Sequence, residues 1–131
     1  IHDLSAQKGQ ILTQPSLQTG ITKAINMMGE NANGVWLSNP RFKVQFSGNG
    51  VSMSPKRNEL TWQWSLTGLN GQTPQAAKPQ LRETPAQAYV DYDRGNVIER
   101  YLFGSTSIEQ VFVVLQRPEG DLFLEGHIQT E

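Results

Sequence analysis

Phe42-Lys43-Val44-Gln45-Phe46-Ser47-Gly48-Asn49-Gly50-Val51-Ser52-Met53 is the stretch that decides the fold class. Phe42, Val44 and Phe46 alternate with Arg41, Lys43 and Gln45, a period of two that sends apolar side chains to one face of a strand. Gly48-Asn49-Gly50 follows, and Val51 and Met53 then alternate with serines. Alternation, a turn of residues that accept positive φ, and alternation again is the pattern of a β-hairpin.

The same period continues downstream. Leu60, Trp62, Trp64 and Leu66 fall on one strand face, with Thr61, Gln63 and Ser65 on the other. Further strands are expected over residues 88–92, 97–103 and 109–115, divided by Asp93-Arg94-Gly95-Asn96 and by residues 104–107. Arg117-Pro118-Glu119-Gly120-Asp121 reads as another turn, and Leu122, Leu124, Gly126 and Ile128 as a last strand. Residues 68–85 read as a loop region: they carry Gly71, Pro74, Pro79 and Pro85 among Gln and Thr, too polar and too rich in proline for a central strand. Short strands joined by turns, with no helical pattern between them, imply antiparallel pairing.

Toward the N-terminus the period changes. Leu17, Ile21, Ala24, Ile25 and Met28 recur at helical spacing, Pro15 and Ser16 suit a first turn, and Gly29 suits a stop. The spacing predicts an α-helix over 15–28 after an irregular arm over 1–14, followed by a β-rich body over 34–131. The expected fold is mainly β: one domain, an antiparallel β-sandwich or curved sheet with one N-terminal α-helix on a face or edge.

Composition narrows the function classes. The chain of 131 residues is the size of one domain and can bury a core without staples. Charged residues are 18%, below the roughly 25% usual for soluble domains, and Gln, Asn, Ser, Thr and Gly take their place, as in secreted β-rich domains. The net charge is -1 and no basic run stands out, so no nucleic acid partner is expected. No apolar run has the length of a membrane span. With no cysteine, disulfides, thiolate catalysis and the usual structural zinc sites are excluded. The chain opens on Ile1 rather than Met, which reads as a mature form or an excised domain.

Several constellations could carry chemistry. Trp62 and Trp64 share a strand face: exposed, such a pair stacks on sugar rings, whereas Leu60 and Leu66 beside them favour a core role. Trp36 lies near a turn-rich stretch, beside Asn31, Asn33 and Asn39, and is the better candidate for exposure, although a packing role is the favoured reading for it too. With Tyr92 these three tryptophans form the candidate ligand-binding set. Asp91, Asp93 and Asn96 are closely spaced oxygen ligands around Gly95 and form a candidate calcium site, the one cofactor considered. The same residues are ordinary hairpin-turn chemistry, which is the favoured reading. Asp93, Glu99, Glu109, Glu119 and Glu125 offer carboxylates for glycoside hydrolysis, which needs two of them held about 5 to 9 Å apart in a cleft. Glu99-Arg100 reads as a solvated strand face, and Gln110 as a buried amide that organises a turn. His2 and His127 have no metal or triad spacing, no Gly-x-Ser-x-Gly elbow occurs, and Gly48-Asn49-Gly50 leads into no helix that would cradle a phosphate.

Three groups of segments, in order, resemble a known family. They are Asn39-Pro40 leading into Phe42-Lys43-Val44-Gln45-Phe46 and Gly50-Val51; Trp62-Gln63-Trp64-Ser65-Leu66-Thr67-Gly68; and Val90-Asp91-Tyr92-Asp93-Arg94-Gly95 with Ile98-Glu99-Arg100-Tyr101, Ile108-Glu109-Gln110-Val111-Phe112 and Gly120-Asp121-Leu122-Phe123-Leu124-Glu125-Gly126. Their order and spacing over about residues 39–128 resemble the N-terminal β-rich domain of large exported bacterial proteins that carry FG-GAP (integrin-α-like) or similar repeats. The resemblance implies an exported module, at the cell surface or in the periplasm, whose partners are the other domains of a larger protein. It brings no catalytic residues. The expected function is a non-catalytic structural or accessory module. A carbohydrate- or protein-binding (adhesion) module is the alternative, and a glycoside hydrolase-like enzyme stands third.

Overall fold

The computed structural model describes residues 27–57, 60–85, 87–104 and 107–130. The chain is mainly β, with ten strands in two antiparallel sheets and no helix among the described residues. Strands β1 (Met27–Asn31), β2 (Gly34–Ser38), β3 (Phe42–Ser47), β4 (Gly50–Pro55) and β5 (Trp62–Leu69) run as a meander. The chain then crosses to a second sheet of β6 (Gln80–Glu83), β7 (Ala88–Asp93), β8 (Val97–Phe103) and β9 (Ile108–Val114), and returns as β10 (Leu124–Thr130) beside β5. Sheet A therefore has the order β1-β2-β3-β4-β5-β10 and sheet B the order β6-β7-β8-β9.

Alternation along the strands dictates which faces meet. Val35 and Leu37 of β2, Phe42, Val44 and Phe46 of β3 and Val51 of β4 form one cluster with Ala88, Val90 and Tyr92 of β7 and Tyr101 and Phe103 of β8. Phe46 sits at its centre, fully buried, with ring centroids 5.1 Å from Tyr101 and 6.0 Å from Phe103. Tilted ring pairs at these distances add to the burial of apolar area, which drives the two faces together. The hydroxyl of Tyr92 donates across the gap to the carbonyl oxygen of Ser47 at 2.7 Å, so the polar end of a buried ring is matched.

The quoted hairpin forms over Phe42–Ser47 and Gly50–Pro55, with Ser47 opposite Gly50 and Gly48-Asn49 as the connection. Gly50 takes φ 138°, and a Cβ there would fall 2.3 Å from the carbonyl oxygen of Trp64; only glycine fits. Asn39-Pro40 has a local explanation too. Asn39 is buried, and its Oδ1 accepts from the N–H groups of Arg41 and Phe42 at 2.8 and 3.0 Å, turning the chain into β3.

Two expectations need correction. The C-terminal end of the predicted helix, Met27 and Met28, belongs to β1, which pairs with β2 from Met27↔Ser38 to Asn31↔Gly34; residues 15–26 lie outside the described residues. Met28 lies opposite Leu37 and packs against the core, so its apolar character serves a strand face. The stretch 68–85 is not all loop. β5 runs on to Leu69, and Gln80–Glu83 forms a short edge strand between Pro79 and Pro85, the sheet position that polar, proline-flanked segments tolerate.

The β5–β10 pairing closes sheet A, and its register shifts between Glu125 and Gly126. Trp64 lies across Gly126: a Cβ on Gly126 would fall 1.7 Å from the Trp64 ring. Substitution Gly126→Ala is therefore expected to destabilise the fold by about 1–3 kcal/mol or more, the cost of forcing volume into a filled site. Chemical denaturation would show it as a lower midpoint. An unchanged midpoint would mean that Trp64 does not hold this position.

Candidate functional site

Two regions hold the residues singled out in the sequence. The first is a polar network on the inward side of sheet B. Glu99 is 2% exposed on β8. Its Oε1 accepts from Arg94 Nε at 3.3 Å and Nη2 at 2.9 Å, and its Oε2 accepts a short hydrogen bond from the Tyr101 hydroxyl. Gln110 Nε2 donates to the Tyr101 oxygen at 2.9 Å, and Arg94 Nη1 donates to the carbonyl oxygen of Gln75 at 2.9 Å. The Arg94 guanidinium also lies 5.0 Å from the Tyr92 ring centroid. Two expectations change here. Glu99 lies on the buried face, because it pairs with Tyr92 in the β7–β8 register and shares the parity of Tyr101 and Phe103. Gln110 serves a side-chain network rather than a turn.

Burial, reinforced by the negative charge of Glu99, pushes the phenols of Tyr92 and Tyr101 well above the ordinary tyrosine range. Tyr92 is fully buried and bonded to Ser47, which takes this member of the candidate ligand set out of a ligand's reach.

The outward side of sheet B carries a second pair. Asp91 is buried and accepts both oxygens' bonds from Arg100, Nε to Oδ1 at 2.8 Å and Nη2 to Oδ2 at 3.0 Å. This bond to Asp91 holds the Arg100 guanidinium above its usual range. Arg100 in turn stacks 4.3 Å from the Tyr89 ring centroid. Asp93 Oδ1 accepts the N–H of Gly95 at 2.9 Å, and the carbonyl oxygen of Asn96 accepts from Leu115 at 2.7 Å. The three candidate calcium ligands thus have three separate structural partners. Among the described residues no group of three or more His, Asp or Glu is placed to hold a metal.

The second region is the outward face of sheet A. Trp36 alternates with the buried Val35 and Leu37 and is half-buried on this open face. It sits on a strand rather than in a turn. Its row across the sheet reads Gly29, Trp36, Gln45, Ser52, Gln63 and Gln129. The next row holds Ser38, Lys43 and Ser54, with the Ser54 and Thr61 hydroxyls 3.0 Å apart. An open depression of about 420 Å³ lies among Trp36, Ser38, Lys43, Gln45, Ser52, Ser54 and the exposed Met27. A neighbouring one of about 280 Å³ lies among Ser47, Gln63, Ser65, His127 and Gln129. Trp62 and Trp64 face the other way. They pair with Met53 and Val51, and Trp64 packs against the core. Leu66 beside them is buried, whereas Leu60 is 53% exposed, so only one of the two leucines supports the core reading.

Sequence reasoning missed Lys43, Ser52, Ser54 and Gln63 as a surface. The signal was present, since each alternates with an inward residue, but only register brings the three strands β3, β4 and β5 side by side. Compared with models of known families, with curated proteins and with solved structures, the chain matches none.

The two buried phenols generate a pH dependence. Their folded-state pKa values are raised, so the folded state holds these protons after the unfolded chain has released them. Their contribution is complete below the unfolded value near 10 and is lost as pH rises above it, at up to about 1.4 kcal/mol per pH unit for each group. The denaturation midpoint is expected to fall above about pH 10, with phenolate absorbance from Tyr92 and Tyr101 appearing together with unfolding. Full phenolate titration of all three tyrosines in the still-folded protein would contradict this.

Proposed function

We propose that the chain is a non-catalytic accessory module of an exported bacterial protein of the cell surface or periplasm, acting by contact rather than by chemistry. The observation that carries this reading is the fate of the acidic and basic residues in the strongest sequence segments. Asp91 is bonded to Arg100, Glu99 to Arg94 and Tyr101, and Asp93 to the N–H of Gly95. Neither depression on sheet A is lined by Asp or Glu. Glycoside hydrolysis needs two carboxylates facing one cleft, and two of the five candidates, Asp93 and Glu99, are engaged in holding the β7–β8 hairpin. The order of segments similar to the exported-protein family agrees with a module set among other domains. The exposed Phe123, Leu124 and Ile128 on and beside the edge strand β10 supply apolar surface for such a neighbour.

A second reading, a carbohydrate- or protein-binding module, is favoured by one specific observation: the half-buried Trp36 on the open, hydroxyl- and amide-rich face of sheet A. Aromatic rings beside polar side chains suit sugars, which present apolar C–H faces and hydroxyl edges.

Incubation with a panel of polysaccharides distinguishes contact from chemistry. A ligand at tenfold over its Kd is expected to stabilise the fold by about 1.4 kcal/mol, a rise in Tm of roughly 3–6 °C, with no new reducing ends. Release of reducing ends that disappears on substitution of a carboxylate would overturn the non-catalytic reading.

A further inference from the structure

Six of the nine basic residues in the described chain fall in two groups, with Lys78, Arg82 and Arg117 exposed elsewhere. Arg94 and Arg100 are ion-paired within sheet B. Arg41, Lys43, Lys56 and Arg57 are exposed at the β3–β4 end of sheet A, and none has an ion-pair partner among the described residues. Lys43 lies opposite Ser54 on the outward face, in the row beside that of Trp36. Arg41 and Lys56 occupy the next row, joined by the Lys56 N–H to the carbonyl oxygen of Arg41 at 2.8 Å. Residues two apart on a strand have backbones about 7 Å apart, so Arg41 and Lys56, just beyond the strand ends, follow Lys43 at about one such step. No Asp or Glu of a strand falls on the outward side of sheet A: Glu30 and Glu125 have the inward parity, opposite Val35 and Gly68. Among the described residues, four basic side chains without an ion-pair partner thus lie together at this end of sheet A.

Trp36 gives that face an aromatic platform. A Cβ at Gly29 would fall 3.2 Å from Trp36 Nε1 and 3.3 Å from Cε2 and Cζ2, so the indole lies across Gly29. The glycine lets the ring rest on β1 with its remainder turned to the depression. Around it stand Ser38, Ser52, Ser54 and the half-buried Gln45, whose amide is anchored to the carbonyl oxygen of Val35 at 3.1 Å.

The geometry points to this face, Trp36 with Lys43 and the Arg41–Lys56 row, as a binding site for an anionic polysaccharide, one whose sugar rings carry carboxylate or sulfate groups. The inference rests on the contact-module reading and names the ligand class. A sugar ring stacks on the indole, serine hydroxyls and the Gln45 carbonyl meet its hydroxyls, and the acidic groups of successive sugars meet Lys43 and then Arg41 or Lys56. Charge complementarity selects the anionic polymer over a neutral one. Single-stranded nucleic acid also pairs cations with aromatics, but it stacks successive bases on several rings; among the described residues Trp36 is the one aromatic side chain with outward parity in the strands of sheet A.

Affinity electrophoresis and titration with dextran, dextran sulfate, polygalacturonate and a mixed-sequence single-stranded oligonucleotide test this. Dextran sulfate or polygalacturonate is expected to bind at least about tenfold tighter than dextran, weakening as salt rises from about 50 to about 200 mM. Lys43→Glu is expected to cost about tenfold for the anionic polymer, and Trp36→Ala a comparable factor for every polymer bound. Because Lys43 is exposed, its variant keeps the test valid if Trp36→Ala fails to fold. Equal binding of dextran and dextran sulfate, or binding indifferent to Lys43→Glu, would overturn the anionic site while leaving the contact-module reading in place. Tighter binding of the oligonucleotide would replace the ligand class, and no binding of either anionic polymer would remove the site. Cleavage of a bound polymer would overturn the reading on which the inference rests.

Discussion

One buried carboxylate organises the second sheet and ties it to the first. Glu99 lies on the inner face of β8 with almost no contact with solvent. A charge removed from water is tolerated only where partners replace its hydration. Arg94 and Tyr101 do so, and each brings a further element with it. Arg94 holds the crossing loop through the carbonyl of Gln75, and Tyr101 holds β9 through Gln110 and meets Phe46 of sheet A ring to ring. The hairpin turn, the crossing loop, both inner strands of sheet B and the centre of the core are all positioned by the need to satisfy one side chain.

The same network explains why the sequence segments that looked most like chemistry are structural. Asp-Arg-Gly, Glu-Arg-Tyr and Glu-Gln-x-Phe suggest acids, bases and metal ligands when read as letters. Folded, Asp93 closes a turn, Arg94 and Glu99 neutralise each other, and Gln110 completes the hydrogen bonding of Tyr101. Asp91 and Glu99 sit eight residues apart on neighbouring strands but on opposite faces, which the register makes plain and the spacing does not.

Most of the β architecture was legible because strand alternation is a local signal. The Phe42–Ser47 and Gly50–Pro55 hairpin and the runs through β7, β8 and β9 were placed to within a residue or two at their ends. What failed was also local. Met27 and Met28 continue a helical spacing, yet their positions are set by pairing with β2, a partner that no short window contains. The Gln80–Glu83 strand is too polar to announce itself and exists because β7 offers an edge. The outward face of sheet A was the least legible part. Trp36, Lys43, Ser54 and Lys56 are scattered over residues 36–56, and only the meander sets them next to one another.

The return of β10 to β5 has a kinetic consequence. Leu69 and Leu124 are neighbours in space, and the whole of sheet B is the loop between them. Closing so long a loop costs chain entropy before the strand pairing repays it. During synthesis the β5 edge, with Trp64 beside it, must wait for the last strand to emerge. Until then it presents a row of open backbone groups to other nascent chains. Gly126 belongs to that strand, so the residue that lets the Trp64 ring settle joins sheet A only after all of sheet B has been made.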